Sequence, residues 1–258
     1  MTTRAESQRL LRIAMARATE GVMPKASIVI AVITTLGALA FAIAEGRHGS
    51  ETERVAPLTA GLLAWGAGVL LCFAASMRAF DRDHEDGWDA LLARHGASRS
   101  DYLFARVIGL AIVTLELVVP GTLLVGIAAT LASHDVHVAR DALSGTFAGG
   151  VYAIAFSIVV APVALGALGA RGRASGYVYL LSVLVVPALI APWTGQLVPD
   201  DWSELVSIPG ALDALREALI GTVDGPRALR AIVVLSAITV LAALWARAQL
   251  HIHRSEPS

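Results

Sequence analysis

Long apolar segments recur along this chain, and they limit what it can fold into more than any other feature. They run approximately over Ser27–Ala44, Leu58–Met77, Arg106–Leu131, Thr146–Leu168, Tyr177–Val198 and Leu229–Ala246. A bilayer core about 30 Å thick is crossed by about 20 helical residues rising 1.5 Å each, so each segment is long enough to span. Lipid offers no hydrogen-bond partners to a backbone, which leaves helices as the way for such segments to cross. Composition agrees: 56% of the 258 residues are hydrophobic, 16% are charged and the mean hydropathy is +0.67. The expectation is an all-α polytopic membrane protein with six transmembrane helices, forming one domain over residues 1–258. The first apolar run begins only near Ser27 and lacks a small-residue cleavage site, so it reads as an uncleaved first span. The third is long enough to tilt or to kink at Pro120-Gly121, while Pro162, Pro187 and Pro192 fall inside other spans.

Orientation follows from lysine and arginine. Arg47, Arg54, Arg140, Arg216, Arg227 and Arg230 fall on one side of the six spans, which leaves 14 of the 20 basic residues on the side of both termini. Both termini and the connection 78–105 are therefore expected in the cytoplasm, and 199–228 outside. Residues 1–26 carry a basic amphipathic stretch, with Leu10, Leu11, Ala14, Met15 and Ala18 near one face and Arg9, Arg12 and Arg17 around it. Such a helix lies in the headgroup layer with its apolar stripe in lipid. In the outer connection, Leu212, Leu215, Leu219 and Ile220 recur at helical spacing after Pro209-Gly210, predicting an interfacial or re-entrant helix. Trp193 and Trp202 would mark the headgroup level there.

Between the second and third spans lies the longest charged stretch flanked by long apolar segments, Arg78 to Arg106. Trp88, Leu91 and Leu92 sit within its charges at helical spacing, predicting an amphipathic helix over 81–95 capped by Gly96. Ser98 or Ser100 then serves as N-cap of the third span. The run Asp83-His84-Glu85-Asp86-Gly87-Trp88-Asp89-Ala90-Leu91-Leu92, followed by Ala97-Ser98-Arg99 and a rising hydrophobic helix, resembles the permease subunits of type-2 ABC transporters. These include the haem-exporter-like, nitrous-oxide-reductase-maturation-like and antibiotic-exporter permeases. Their pattern has acidic residues around Gly-Thr, then Leu-Leu, then a Pro-bearing turn before Ser-Arg. Here Trp88 stands for the Thr and His95-Gly96 for that turn. The similarity covers about thirty residues; elsewhere it is one of topology.

The resemblance implies a non-catalytic membrane subunit of an exporter in the bacterial inner membrane. Its partners would be a cytoplasmic ABC ATPase and a second permease subunit, identical or different, with no nucleic acid. It assigns ATPase coupling to Glu85, Asp86, Gly87, Trp88, Asp89, Leu91 and Leu92, with ATP and Mg held by the ATPase and no cofactor in this chain. The N-terminal helix would contact the ATPase as well as the membrane. The chain itself contains no G-x-x-x-x-G-K-[ST], and Lys25 is its only lysine, so a phosphate-binding lysine must lie on another polypeptide. Nor does it carry G-x-S-x-G, H-E-x-x-H or a cysteine pair; Cys72 is alone. The alternative is a scaffold that relays ATPase motion to a periplasmic or extracellular protein and transports nothing.

One acidic residue, Glu116, falls deep in a span, where insertion costs about 2.5–3.5 kcal/mol. It is expected to face protein or a wet cavity: a polar contact in the path or at a subunit interface, or a carboxyl bonded to a neighbouring helix. Ser133-His134-Asp135-Val136-His137 reads as loop polarity rather than a metal site, because no distant ligands complete it. His251-Ile252-His253 reads as a solvated tail. The pairs Gly145/Gly149 and Gly166/Ala170 permit close helix packing.

Overall fold

A chain whose apolar segments must satisfy their own backbone groups becomes a helix bundle, and this computed structural model is helical in nearly all it describes, with no strand among the described residues. Those residues are 4–20, 22–48, 52–88, 98–169, 173–194, 199, 202, 204–220 and 225–252. In chain order they form α1 (Arg4–Ala18), α2 (Val22–His48), α3 (Thr52–Ser76), α4 (Ala79–Glu85), α5 (Arg99–Ala132), α6 (Val136–Leu168), α7 (Arg173–Thr194), α8 (Ile208–Ile220) and α9 (Gly225–Ile252). Five helices are long and apolar enough to cross a membrane: Val22–Arg47, Thr52–Ser76, Ser100–Ala132, Val136–Leu168 and Gly225–Gln249. In α7 the apolar stretch is shorter, Leu180–Ala191.

The hub is α6. Of its most apolar window 78% is buried inside the chain, against 17% for α2 and for α9, which therefore form the periphery. Small residues let the helices close on the hub. A Cβ built on Gly149 would lie 3.0 Å from the backbone of Ala56, and one on Gly145 would collide with the Glu53 carbonyl. At the other end of α6, Gly166 leaves room for Trp245 of α9. Without a hydrophobic drive between helices in lipid, such close backbone approach is the main source of packing energy. Most buried hydroxyls satisfy themselves within their own helices: Thr59, Thr114, Thr122, Thr146 and Ser157 each donate to the carbonyl four residues back, while Thr52 Oγ1 and Ser76 Oγ have no partner among the described residues.

Inside α3 the turn Leu63–Gly68 is π-helical. The extra residue in that turn re-aims Trp65, whose Nε1–H donates to Tyr152 Oη at 2.7 Å and whose ring meets Phe156 edge-on at 5.3 Å. Cys72 is buried, with its Sγ 3.2 Å from Thr114 Oγ1.

Several expectations change in the folded chain. Residues 1–26 divide: α1 ends at Ala18, and Val22 already belongs to α2. The apolar side of α1 lies on protein rather than in lipid, with Ala14 and Ala18 buried and a Cβ at Gly109 of α5 only 2.9 Å from Ala14 Cβ. Glycine at 109 removes the bulk that would otherwise hold the two helices apart. The fourth apolar segment extends back to Val136, where Asp135 accepts the His137 N–H as N-cap. His251 and Ile252 continue α9, and His253 lies outside the described residues. The helix expected after Pro209-Gly210, α8, begins at Ile208, capped by Ser207 Oγ accepting the Gly210 N–H at 3.0 Å. It is not merely interfacial: Ile208, Ala211, Leu212 and Leu215 are buried as α8 packs against α6 and α9. Burial raises the Asp213 carboxyl above its ordinary range, opposed by Arg216 at 3.3 Å.

Candidate partner-docking site

The turn after α3 is built by the end of α6. Arg78 adopts a left-handed conformation, φ 53°, which reverses the chain and aims its N–H at Leu168 O, 3.1 Å away. The Phe80 N–H donates to Gly169 O at 3.0 Å. Two carbonyls that a helix C-terminus leaves unpaired are thus satisfied by the next segment, and α4 is anchored on the hub. The unfavourable conformation at Arg78 costs about 1–2 kcal/mol, offset by these bonds.

From α4 the acidic residues reach three different partners. Asp83 points inward and is 3% exposed. Arg106 of α5 grips both its carboxylate oxygens, with Arg106 Nε at 2.8 Å from Oδ2, and Tyr102 donates its hydroxyl to the same oxygen. Glu85 stays exposed and pairs with Arg78 at 3.1 Å. Asp86 pairs with Arg17 of α1. Arg82 donates to Ala75 O at 3.2 Å, and burial together with the adjacent Arg106 lowers its pKa against the pull of Asp83.

Trp88 lies half-buried beside this cluster, with the Arg17 guanidinium 5.8 Å from its ring centroid. Arg17 therefore holds Asp86 by charge and Trp88 by cation–π attraction. Each contact is partly exposed and contributes at most about 1 kcal/mol. The space between them, bordered by Ile13, Arg17, Asp83, Trp88, Tyr102 and Arg106, is a cavity of about 10 Å³. That is room for about one water and excludes a small-molecule ligand.

The helix expected over 81–95 is not continuous. It ends at Glu85, Asp86 leaves helical geometry, and Gly87 takes φ +73°. Glycine adopts that left-handed conformation without a Cβ penalty, so it closes α4 as a C-terminal residue. Trp88 is again helical, while Asp89, Leu91 and Leu92 lie outside the described residues. The structure thus brings Glu85, Asp86, Gly87 and Trp88 together at one edge. Gly87 gives a direct test: a Cβ there would meet nothing within 4 Å, so backbone strain alone decides. Gly87→Asn, which tolerates this conformation, should unfold near the parent midpoint. Gly87→Val should lose about 1–2 kcal/mol in detergent unfolding titrations.

The Asp83–Tyr102–Arg106 clamp was not evident in the charge pattern, which offers six acidic and five basic residues over the same stretch. Its one signature is the i, i+4 placement of Tyr102 and Arg106, which puts both on one face of α5. Ser98 is the N-cap of α5, in a capping box with Asp101.

Glu116 is exposed on α5 and has no hydrogen bond or ion pair among the described residues. The expected contact with a neighbouring helix is absent from the single chain, because the buried face of α5 at this level is taken by Val113, Thr114 and Val118. No group of three or more His, Cys, Asp or Glu suited to a metal occurs among the described residues. No family model matches the chain, and no curated protein matches it.

Proposed function

We propose that the chain is the membrane-spanning subunit of an ATP-driven exporter, coupled through the Glu85–Trp88 edge to a separate ATPase that binds ATP and Mg. The observation that carries this reading is the anchoring of that edge. The segment that leads into it is bound to the C-terminus of α6 through the Arg78 and Phe80 backbone and to α5 through the Asp83–Arg106 clamp, and the edge itself is held to α1 through Arg17. A push on a segment tied to three helices moves the helices, not just the segment. A packed bundle answers such a push by rearranging between discrete states. In this reading α7 is a sixth span, both termini are cytoplasmic and the membrane is the bacterial inner membrane. A second permease subunit completes the pathway. The preponderance of basic residues on the side of α1 and α4 supports that orientation.

Docking would use Trp88 as anchor, since buried aromatics dominate interface energetics at about 2 kcal/mol or more each. Asp89, Leu91 and Leu92 would extend the same contact, and Glu85 and Asp86 would meet basic groups around it and set orientation. The test is reconstitution of the complex with Trp88→Ala and, separately, Arg17→Ala. Trp88→Ala should lose co-purifying ATPase and at least about tenfold in coupled turnover, while the membrane subunit elutes unchanged. Arg17→Ala should retain the ATPase but turn over differently, as the α1 tie is removed. Full ATPase retention and turnover in both variants would refute coupling through this edge.

A further inference from the structure

The unpartnered carboxylate of Glu116 and a groove beside α1 lie on one continuous strip of surface. Along α5, Phe104, Ile108, Ile112, Glu116, Pro120 and Leu124 recur at every fourth residue, and each is exposed or partly exposed. Glu116 occupies the middle of the apolar helix Ser100–Ala132, roughly 24 Å along the axis from either end. Among the described residues no counter-charge pairs with it. Between Lys25 and Glu45 in α2, and between Asp141 and Leu168 in α6, there is no charged residue. Arg106, the nearest basic residue on α5 itself, is committed to Asp83. At the α1 end, the strip opens into a groove of about 370 Å³ between α1 and α5, lined by Gln8, Leu11, Asp101, Phe104 and Ile108.

A carboxylate on a hydrocarbon-facing strip is satisfied by a cation, and an apolar groove is satisfied by hydrocarbon. Ile108 and Glu116 are separated by about 12 Å along the helix, the reach of a medium-length alkyl chain. We propose that this strip binds a cationic amphiphile, with its positive head at Glu116 and its chain laid over Ile112 and Ile108 into the groove beside α1. The site names a substrate class for the exporter and in that respect rests on the transport reading. Zwitterionic or anionic lipid is a poor occupant, because it brings no net positive charge to offset the cost of the carboxylate at this depth.

The test needs only this chain in nanodiscs, so its result stands apart from that of the Trp88 variants. A hydrophobic carbodiimide should label Glu116, detected by peptide mass spectrometry. Tetradecyltrimethylammonium should slow that labelling about tenfold, the factor given by about 1.4 kcal/mol of binding energy. Hexyltrimethylammonium is too short to reach the groove and should protect much less; tetradecanol and tetradecyl sulfate should not protect. In native mass spectrometry, Glu116→Gln should lose the bound tetradecyltrimethylammonium while folding as the parent does. Equal protection by the neutral or anionic chain overturns the proposal, as does retention of the cation by Glu116→Gln. A Glu116 that is unreactive in nanodiscs also overturns it, because another protein surface then covers the strip.

Discussion

Gly145→Leu is expected to prevent the bundle from closing. A Cβ at this position collides with the Glu53 carbonyl, an atom of the α3 backbone that cannot rotate aside as a side chain can. Overpacking a well-filled interior costs about 1–3 kcal/mol when side chains absorb it, and here the backbone of a whole helix must move. α3 and α6 must separate along a contact that also includes Gly149 against Ala56 and Gly68 against Phe156. The expected result is loss of the monodisperse peak in size-exclusion chromatography. Gly37→Leu, on α2 where a Cβ meets nothing within 4 Å, should elute as the parent does. Equal behaviour of the two variants would show that the α3–α6 crossing is looser than described.

Asp83→Leu should be the most damaging single change outside the glycines. It leaves Arg106, 7% exposed, as a buried cation without a counter-charge, and it removes the acceptor of the Tyr102 hydroxyl. Breaking such a pair costs about 3–5 kcal/mol, because the remaining charge keeps its desolvation penalty. The triple variant Asp83→Leu, Tyr102→Phe, Arg106→Met removes all the polar groups together and should recover most of the loss, since apolar replacement of a whole buried cluster is often neutral. Unfolding titrations in mixed detergent give the comparison. Salt should separate this clamp from the Arg17–Asp86 pair. At about 1 M salt the Debye length falls to about 3 Å, which screens the exposed pair and leaves the buried one intact. If Asp83→Leu unfolds at the parent midpoint, the clamp is not holding α4 to α5.

Some features of this chain were written locally. Helicity and five of the six expected spans follow from windows of about 20 residues, the length over which lipid exclusion acts, whereas the start of α6 at Val136 lies well before the expected Thr146. Ser98 as the cap of α5 and a polar turn at 133–135 were equally legible, because a cap bonds within three or four residues of itself. Gly87 was read as permissive toward a close partner, yet its role is to end α4, which only its φ reveals. The small pair Gly145/Gly149 announced close packing but not against which helix.

The partners of the charges were decided by tertiary structure. Asp83 takes Arg106, 23 residues away, and Asp86 takes Arg17, 69 residues away, although nearer arginines were on offer to both. Coulomb attraction at this range depends on burial and distance, and both are set by how α1, α4, α5 and the end of α6 meet. The same meeting turned the apolar side of α1 onto Gly109 instead of lipid. On α5 it left Glu116 on the open strip, because one face of a helix can be buried only where a neighbour lies against it. Composition determined that this chain is a bundle of membrane-length helices. Helix packing decided which of its carboxylates hold the bundle together and that Glu116 stands open on its surface.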